Sequence, residues 1–207
     1  MFRAPKPNYM KLRTLSLLAS AALLAPSANA NFHFFDIQEV YSNADGSVQF
    51  IELFTTSGGQ EVVGGHTIRL EVAAPVSTLN TFTFPTNGPA STANRTYLIG
   101  TSNLTALYGV TPDFILPANF LIVGTGFSNK RANFGENADI VNLLNLPLDG
   151  VGSLNGLVGN NTFTATSINS QATPTNFAGA TATIPEPVAA GLLGLGLLAL
   201  AQRRRRA

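Results

Sequence analysis

Glu39 and Glu52 sit in two short runs rich in aliphatic and aromatic residues, Ile37-Gln38-Glu39-Val40-Tyr41 and Phe50-Ile51-Glu52-Leu53. Neighbouring strands would bring the two carboxylates together, and a carboxylate pair is what general acid and base work at a glycosidic bond requires. No nucleophile motif accompanies them. No catalytic residue is therefore expected. His33 and His66 are the only histidines, and they lack the H-x-x-x-H spacing that puts two imidazoles on one metal ion. Ser57 has no Gly-x-Ser-x-Gly elbow around it, so a triad with His66 has no support. The acidic loops Asn43-Ala44-Asp45-Gly46-Ser47 and Glu136-Asn137-Ala138-Asp139 offer oxygen ligands of the kind Ca²⁺ takes, but neither completes a calcium-loop pattern. The glycines of Ser57-Gly58-Gly59 and Gly64-Gly65 read as turn residues, not a phosphate cradle, because no helix follows them. No metal site and no cofactor is expected.

Charge narrows the classes further. Eight of the twelve Lys and Arg residues lie near the ends: Arg3, Lys6, Lys11 and Arg13, then Arg203, Arg204, Arg205 and Arg206. Between them Arg69, Arg95, Lys130 and Arg131 face eleven acids, so the body carries 4 − 11 = −7. Such a surface lacks the basic stripe that phosphate neutralisation needs, which argues against nucleic-acid binding. The chain has no cysteine, which excludes disulfides, thiolate catalysis and Cys-based zinc sites. With 207 residues it has room for one ordinary domain and short appendages.

The ends read as addresses. From Met10, which makes a better start than Met1, a short basic stretch leads into an apolar run and then Pro26-Ser27-Ala28-Asn29-Ala30. That order is a secretion signal, with Ala28 and Ala30 as the small residues a signal peptidase accepts and Asn31 as the first mature residue. The expected partners are that peptidase and Sec-type export machinery. At the other end Pro185-Glu186-Pro187 precedes fourteen uncharged residues, 188–201, then Gln202 and the four arginines. As a helix the run spans roughly 21 Å, short of the ~30 Å hydrocarbon core, so it predicts a weak anchor with the arginines on the cytoplasmic side. Proline keeps the tripeptide extended and open to an enzyme.

In order, the tripeptide, the Gly/Leu/Ala-rich run with Gly191, Gly194 and Gly196, and the basic cluster resemble the PEP-CTERM sorting signal. That resemblance covers about the last tenth of the chain. It implies recognition at Pro185, Glu186 and Pro187 by a membrane-embedded exosortase, cleavage nearby, and delivery to the surface or exopolysaccharide matrix of a Gram-negative bacterium.

Between the ends, β-branched and aromatic blocks recur at 34–41, 48–55, 67–72, 81–84, 96–101, 120–124 and 139–144. Asp45-Gly46, Asn87-Gly88, Asp149-Gly150 and Asn155-Gly156 punctuate them as turns. The pattern predicts an all-β sandwich, with one helical turn over 103–108 in a connection. Ile37 to Tyr41, Asp45-Gly46, Phe50 to Leu53, Val62 to Ile68, Phe82-Thr83-Phe84-Pro85, Tyr97-Leu98-Ile99, Asp139-Ile140-Val141 and Asp149-Gly150 resemble a lamin-tail domain, which implies an immunoglobulin-like fold. The same resemblance implies that Glu39 and Glu52 are structural, bonding loop amides or facing solvent. Thr55 stands where that family carries Asn and His66 where it carries Trp.

The expected organisation is a signal helix at 1–30, a β-sandwich at 31–159, a flexible Thr/Asn/Ser-rich stalk at 160–183 and a sorting tail with its apolar helix at 184–207. The expected function is that of an exported, non-catalytic surface or matrix protein. The competing readings are a carbohydrate- or calcium-binding adhesion module, and a secreted hydrolase using Glu39 and Glu52.

Overall fold

Phe50, Glu52 and Phe54 alternate with Ile51 and Leu53, so an extended backbone sends the two sets to opposite faces. The computed structural model, which describes residues 32–156 and 167–185, makes this run strand β2 (Gln49–Thr55). Before it comes β1 (Asp36–Ser42), and after it β3 (Thr67–Ala73), β4 (Val76–Thr83), β5 (Arg95–Gly100), the short helix α1 (Asn103–Tyr108) and β6 (Phe114–Ile115). The chain continues with β7 (Lys130–Phe134), β8 (Asp139–Asn142), β9 (Ser153–Asn155) and β10 (Ser167–Asn169).

Among the described residues two sheets form, ordered β10-β9-β1-β2-β5-β6 and β4-β3-β7-β8. All pairings are antiparallel except β5 with β6. The sheets share one apolar core: Ile37, Val40, Ile51, Leu53, Tyr97, Ile99 and Leu154 from the first meet Ile68, Leu70, Phe82, Ala132, Phe134 and Val141 from the second. The architecture is all-β, as the strand blocks and turn signals predicted.

A bulge in β1 decides which way Glu39 points. Ile37 pairs with Leu53 and Glu39 with Glu52, leaving Gln38 as the extra residue. In an unbroken strand Glu39 would share the inward face of Ile37; the bulge instead turns Val40 inward and Glu39 outward.

A second apolar cluster lies on the outer face of the six-stranded sheet. Tyr41, Val48, Phe50 and Leu98 from that sheet and its flank meet Leu104 of α1, Val110, Ala172 and Ile184. Its last two members come from the segment read above as the start of a sorting tail and its stalk.

Several expectations need correction. Residues 120–124 form no strand: Ile122 takes a left-handed φ of 49°, a 3₁₀ turn follows at Val123–Thr125, and Leu121 N–H donates to Gln49 Oε1 at 3.1 Å. Asn155-Gly156 is no turn either, because Asn155 ends β9 and pairs with both Glu39 and Ser167. Gly156 is required there because a Cβ would collide with the Ile37 carbonyl oxygen. The boundary expected at 159 lies outside the described residues. From Ser167 onward the expected stalk is part of the folded body: β10 pairs with β9, and Ala172 and Ile184 are fully buried.

Candidate functional site: three carboxylates beneath a returning hairpin

Residues 172–184 fold into a hairpin. Ile184 N–H donates to Ala172 O at 3.0 Å, Ala182 to Pro174 at 3.2 Å, and Asn176 to Ala180 at 3.0 Å, while Thr175 and Thr181 form a β-bridge. Gly179, at φ 83°, closes the tip, and Ala180 N–H donates to Asn176 Oδ1 at 2.9 Å.

The outgoing arm crosses the outer face of the six-stranded sheet and spends alternate N–H groups on three acids. Thr173 N–H donates to Glu39 Oε1 at 3.1 Å, Thr175 to Glu52 Oε2 at 2.6 Å, and Phe177 to Asp113 Oδ2 at 2.9 Å. Glu39 and Glu52 stand on adjacent strands, and Asp113, just before β6, lies beyond β5 and is also bonded to it through Leu98 N–H. Ser153 Oγ of β9 also donates to Glu39, and Leu98 N–H of β5 to Asp113 at 2.8 Å.

Burial dominates the electrostatics of this row. Glu39 and Glu52 are 3% and 4% exposed, and each is the other's cross-strand neighbour. Loss of water pushes the Glu52 carboxyl up to about 8, with the N–H of Thr175 opposing the shift and the Glu39 and Asp113 charges adding to it. Burial likewise raises Glu39 against the hydrogen bond from Ser153, and raises Asp113 against those from Leu98 and Phe177. The arrangement can hold a protein segment by its backbone and exchange protons as it does so.

The tip is fixed by its aromatic ring. Phe177 lies 5.5 Å from Tyr97, with the Arg95 guanidinium 5.6 Å from its centroid, and Asn176 Nδ2 donates to Thr111 O at 3.0 Å.

The other candidates have local roles. His66 Nδ1 lies 3.2 Å from Glu136 Oε2, and its ring stacks at 3.4 Å on Phe32, which sits beside His33 at 4.1 Å. In the loop 43–47, Asp45 Oδ1 accepts from Ser47 N and Oγ, and Asn43 Oδ1 from Val48 N. Asp139 Oδ2 accepts from Ile37 N at 2.6 Å and Oδ1 from Ile140 N; burial raises this carboxyl to about 6. Among the described residues no group of three or more His, Cys, Asp or Glu side chains is placed to hold a metal ion.

Pro185, exposed, is the last described residue of its segment. Glu186, Pro187, Arg203, Arg204, Arg205 and Arg206 lie outside the described residues, as do Ala28, Ala30, Asn31 and both expected terminal helices. Among the described residues no helix is long and apolar enough to cross a membrane. Sequence reasoning brought Glu39 and Glu52 together but missed Asp113 and the hairpin. The available signal was the absence of any ionisable side chain between Ser167 and Pro185, which suits a segment lying over buried acids.

No protein-family model matches the chain, and no curated protein or solved structure matches it either.

Proposed function

We propose that the chain is an exported structural or interaction protein of a Gram-negative cell surface or exopolysaccharide matrix, matured at both ends. A signal peptidase cuts after Ala30, and an exosortase-type membrane protease acts at Pro185-Glu186-Pro187. The single observation that carries this reading is the ordered pair of addresses in one sequence: basic, apolar and Ala-x-Ala at the start, and Pro-Glu-Pro, apolar and poly-arginine at the end. Structural support comes from the residues beside the two addresses: Phe32, next to the expected first residue, is 5% exposed, and Ile184, just before the tripeptide, is fully buried, so both pack into the body.

The body is read as an immunoglobulin-like sandwich of the lamin-tail type without catalytic work. Two sheets over one core support the architecture, and the use of Glu39 and Glu52 as backbone acceptors supports a structural role for the pair. The test is a paired replacement in the native host. Glu186→Ala should leave the protein inserted but full-length and membrane-bound, whereas replacing the four arginines with Ser should give mixed topology. Equal surface delivery of wild type and Glu186→Ala, with both retaining residues 188–207, would make the tail a plain anchor.

A further inference from the structure

The folded body leaves no slack before the tripeptide. Ile184 is fully buried, its N–H is bonded to Ala172, its carbonyl accepts from Gln171 Nε2 at 3.1 Å, and Pro185 comes next. An enzyme that grips an extended chain does so through the backbone groups and side chains flanking its target. Here those on the N-terminal side are committed to the hairpin and the sheet below it.

We infer that residues 172–184 are a proton-dependent latch: docked on the six-stranded sheet, they withhold the Pro185 junction from processing, and released, they let the chain be gripped there. The gating part rests on the proposed processing at the tripeptide; the docking itself rests on geometry, and its proton dependence on the burial of the acids beneath it. Its anchors are the three carboxylate bonds from Thr173, Thr175 and Phe177 and the buried side chains of Ala172 and Ile184.

The proton dependence follows from what faces the hairpin. Glu39 of β1, Glu52 of β2 and Asp113 before β6 lie beneath it, and Arg95 of β5 reaches the ring at its tip. Tyr41 and Tyr108 line the apolar cluster around Ile184; burial pushes the Tyr41 hydroxyl up and keeps it neutral, with Tyr108, Asp149 and Asp45 adding to the shift. The hairpin itself brings no charge. Docking therefore removes three acids from water without a cation on the covering segment. The docked state holds more protons than the released one, since burial raises all three acids. Docking is complete below the ordinary glutamate value of 4.5 and weakens as the pH climbs through about 8, where Glu52 ionises beneath the hairpin.

The test follows amide hydrogen exchange of Thr173, Thr175 and Phe177 in the full chain in detergent at pH 5 and pH 9, corrected for the intrinsic rate. In wild type, protection should fall by about tenfold or more at the higher pH, the change equivalent to one pKa unit. Glu52→Gln keeps an acceptor for Thr175 but cannot ionise, so it should retain much of the protection at pH 9. Equal wild-type protection at both values, or identical loss in Glu52→Gln, overturns the proton dependence. Thr175→Pro removes the donor and leaves every acid in place. It should release Thr173 and Phe177 at both pH values while the Ile51 and Ile99 amides stay protected, and in the native host it should be shortened faster than wild type. Released but shortened no faster, it overturns the gating. If even wild type is never shortened, the processing reading fails, while the exchange data still decide the latch.

Discussion

Glu39 of β1 stands directly opposite Glu52 of β2, and each gives a carboxylate oxygen to the backbone of the same hairpin, at Thr173 and Thr175. Two like charges placed cross-strand repel, and burial adds to the cost of ionising them. The strand bulge that turns Glu39 outward makes this juxtaposition, and the hairpin above it is what the pair holds.

Global stability should fall with rising pH over a range where many proteins are indifferent. Glu52 and Asp139, raised to about 8 and about 6, hold protons in the folded state that the unfolded chain has already released. Their contribution is complete below about pH 4 and is lost as the pH rises through 6 and then 8. Urea denaturation at pH 5, 7 and 9 reads this directly. Glu52→Gln should flatten the upper part of the profile and at pH 9 exceed wild type by more than about 1.4 kcal/mol, the equivalent of one unit. A wild-type midpoint that rises from pH 5 to 9 would contradict the assignment.

Glu71 should be the most sensitive polar residue of the four-stranded sheet. Its carboxylate accepts from Arg131 Nε at 2.9 Å, lies 2.8 Å from Arg131 Nη2 and accepts from Asn133 Nδ2 at 3.1 Å. Arg69 Nε lies 3.2 Å away, paired by charge without hydrogen-bond alignment. Glu71→Ala takes the carboxylate from the buried Arg131 guanidinium and should cost about 3–5 kcal/mol in urea denaturation. A loss under about 1 kcal/mol would mean that the network carries little.

How far the sequence reveals this fold depends on the face each residue covers. The runs that became β1, β2, β5 and β8 showed as short blocks dense in β-branched, aromatic and aliphatic residues, and β3 showed by its alternation, Ile68, Leu70 and Val72 against Arg69 and Glu71. β7 reads Lys130-Arg131-Ala132-Asn133-Phe134 and hid as a loop, because Ala132 and Phe134 are its only apolar residues and its other face is filled by the Arg131 and Asn133 contacts to Glu71. Lys130 is likewise committed, its Nζ bonded to Ile122 O at 3.0 Å and to Thr125 Oγ1, and burial lowers its affinity for a proton. β10 and the hairpin hid for a different reason. Their Thr, Asn and Ala residues bind through backbone N–H groups, which composition does not register. Of the candidate site, the Glu39–Glu52 pairing was visible as strand adjacency, whereas Asp113 joins only through tertiary structure.

Phe32 should contribute to stability. Phe32 stacks on His66, meets Phe134 edge-on at 5.9 Å and lies over Gly135, where a Cβ would come within 2.5 Å of its ring. Phe32→Ala should cost about 3 kcal/mol by the usual loss for a buried aromatic ring. Gly135→Ala should lower the melting temperature as well, since that residue also sits at φ 58°. Wild-type stability in both variants would mean that the N-terminal ring is not docked in solution.

Export should depend on a small side chain at residue 30. Ala30→Phe should block the signal peptidase, because the position before the cut accepts only small residues, and uncut precursor should accumulate in the inner membrane. Normal maturation of Ala30→Phe would move the cut elsewhere.

Intact mass of the protein recovered from the native cell surface tests maturation at both ends in one measurement. The account predicts a chain that begins at Asn31 and has lost residues 188–207 with their four arginines. A mass that retains residues 1–25 together with the arginine cluster would contradict it.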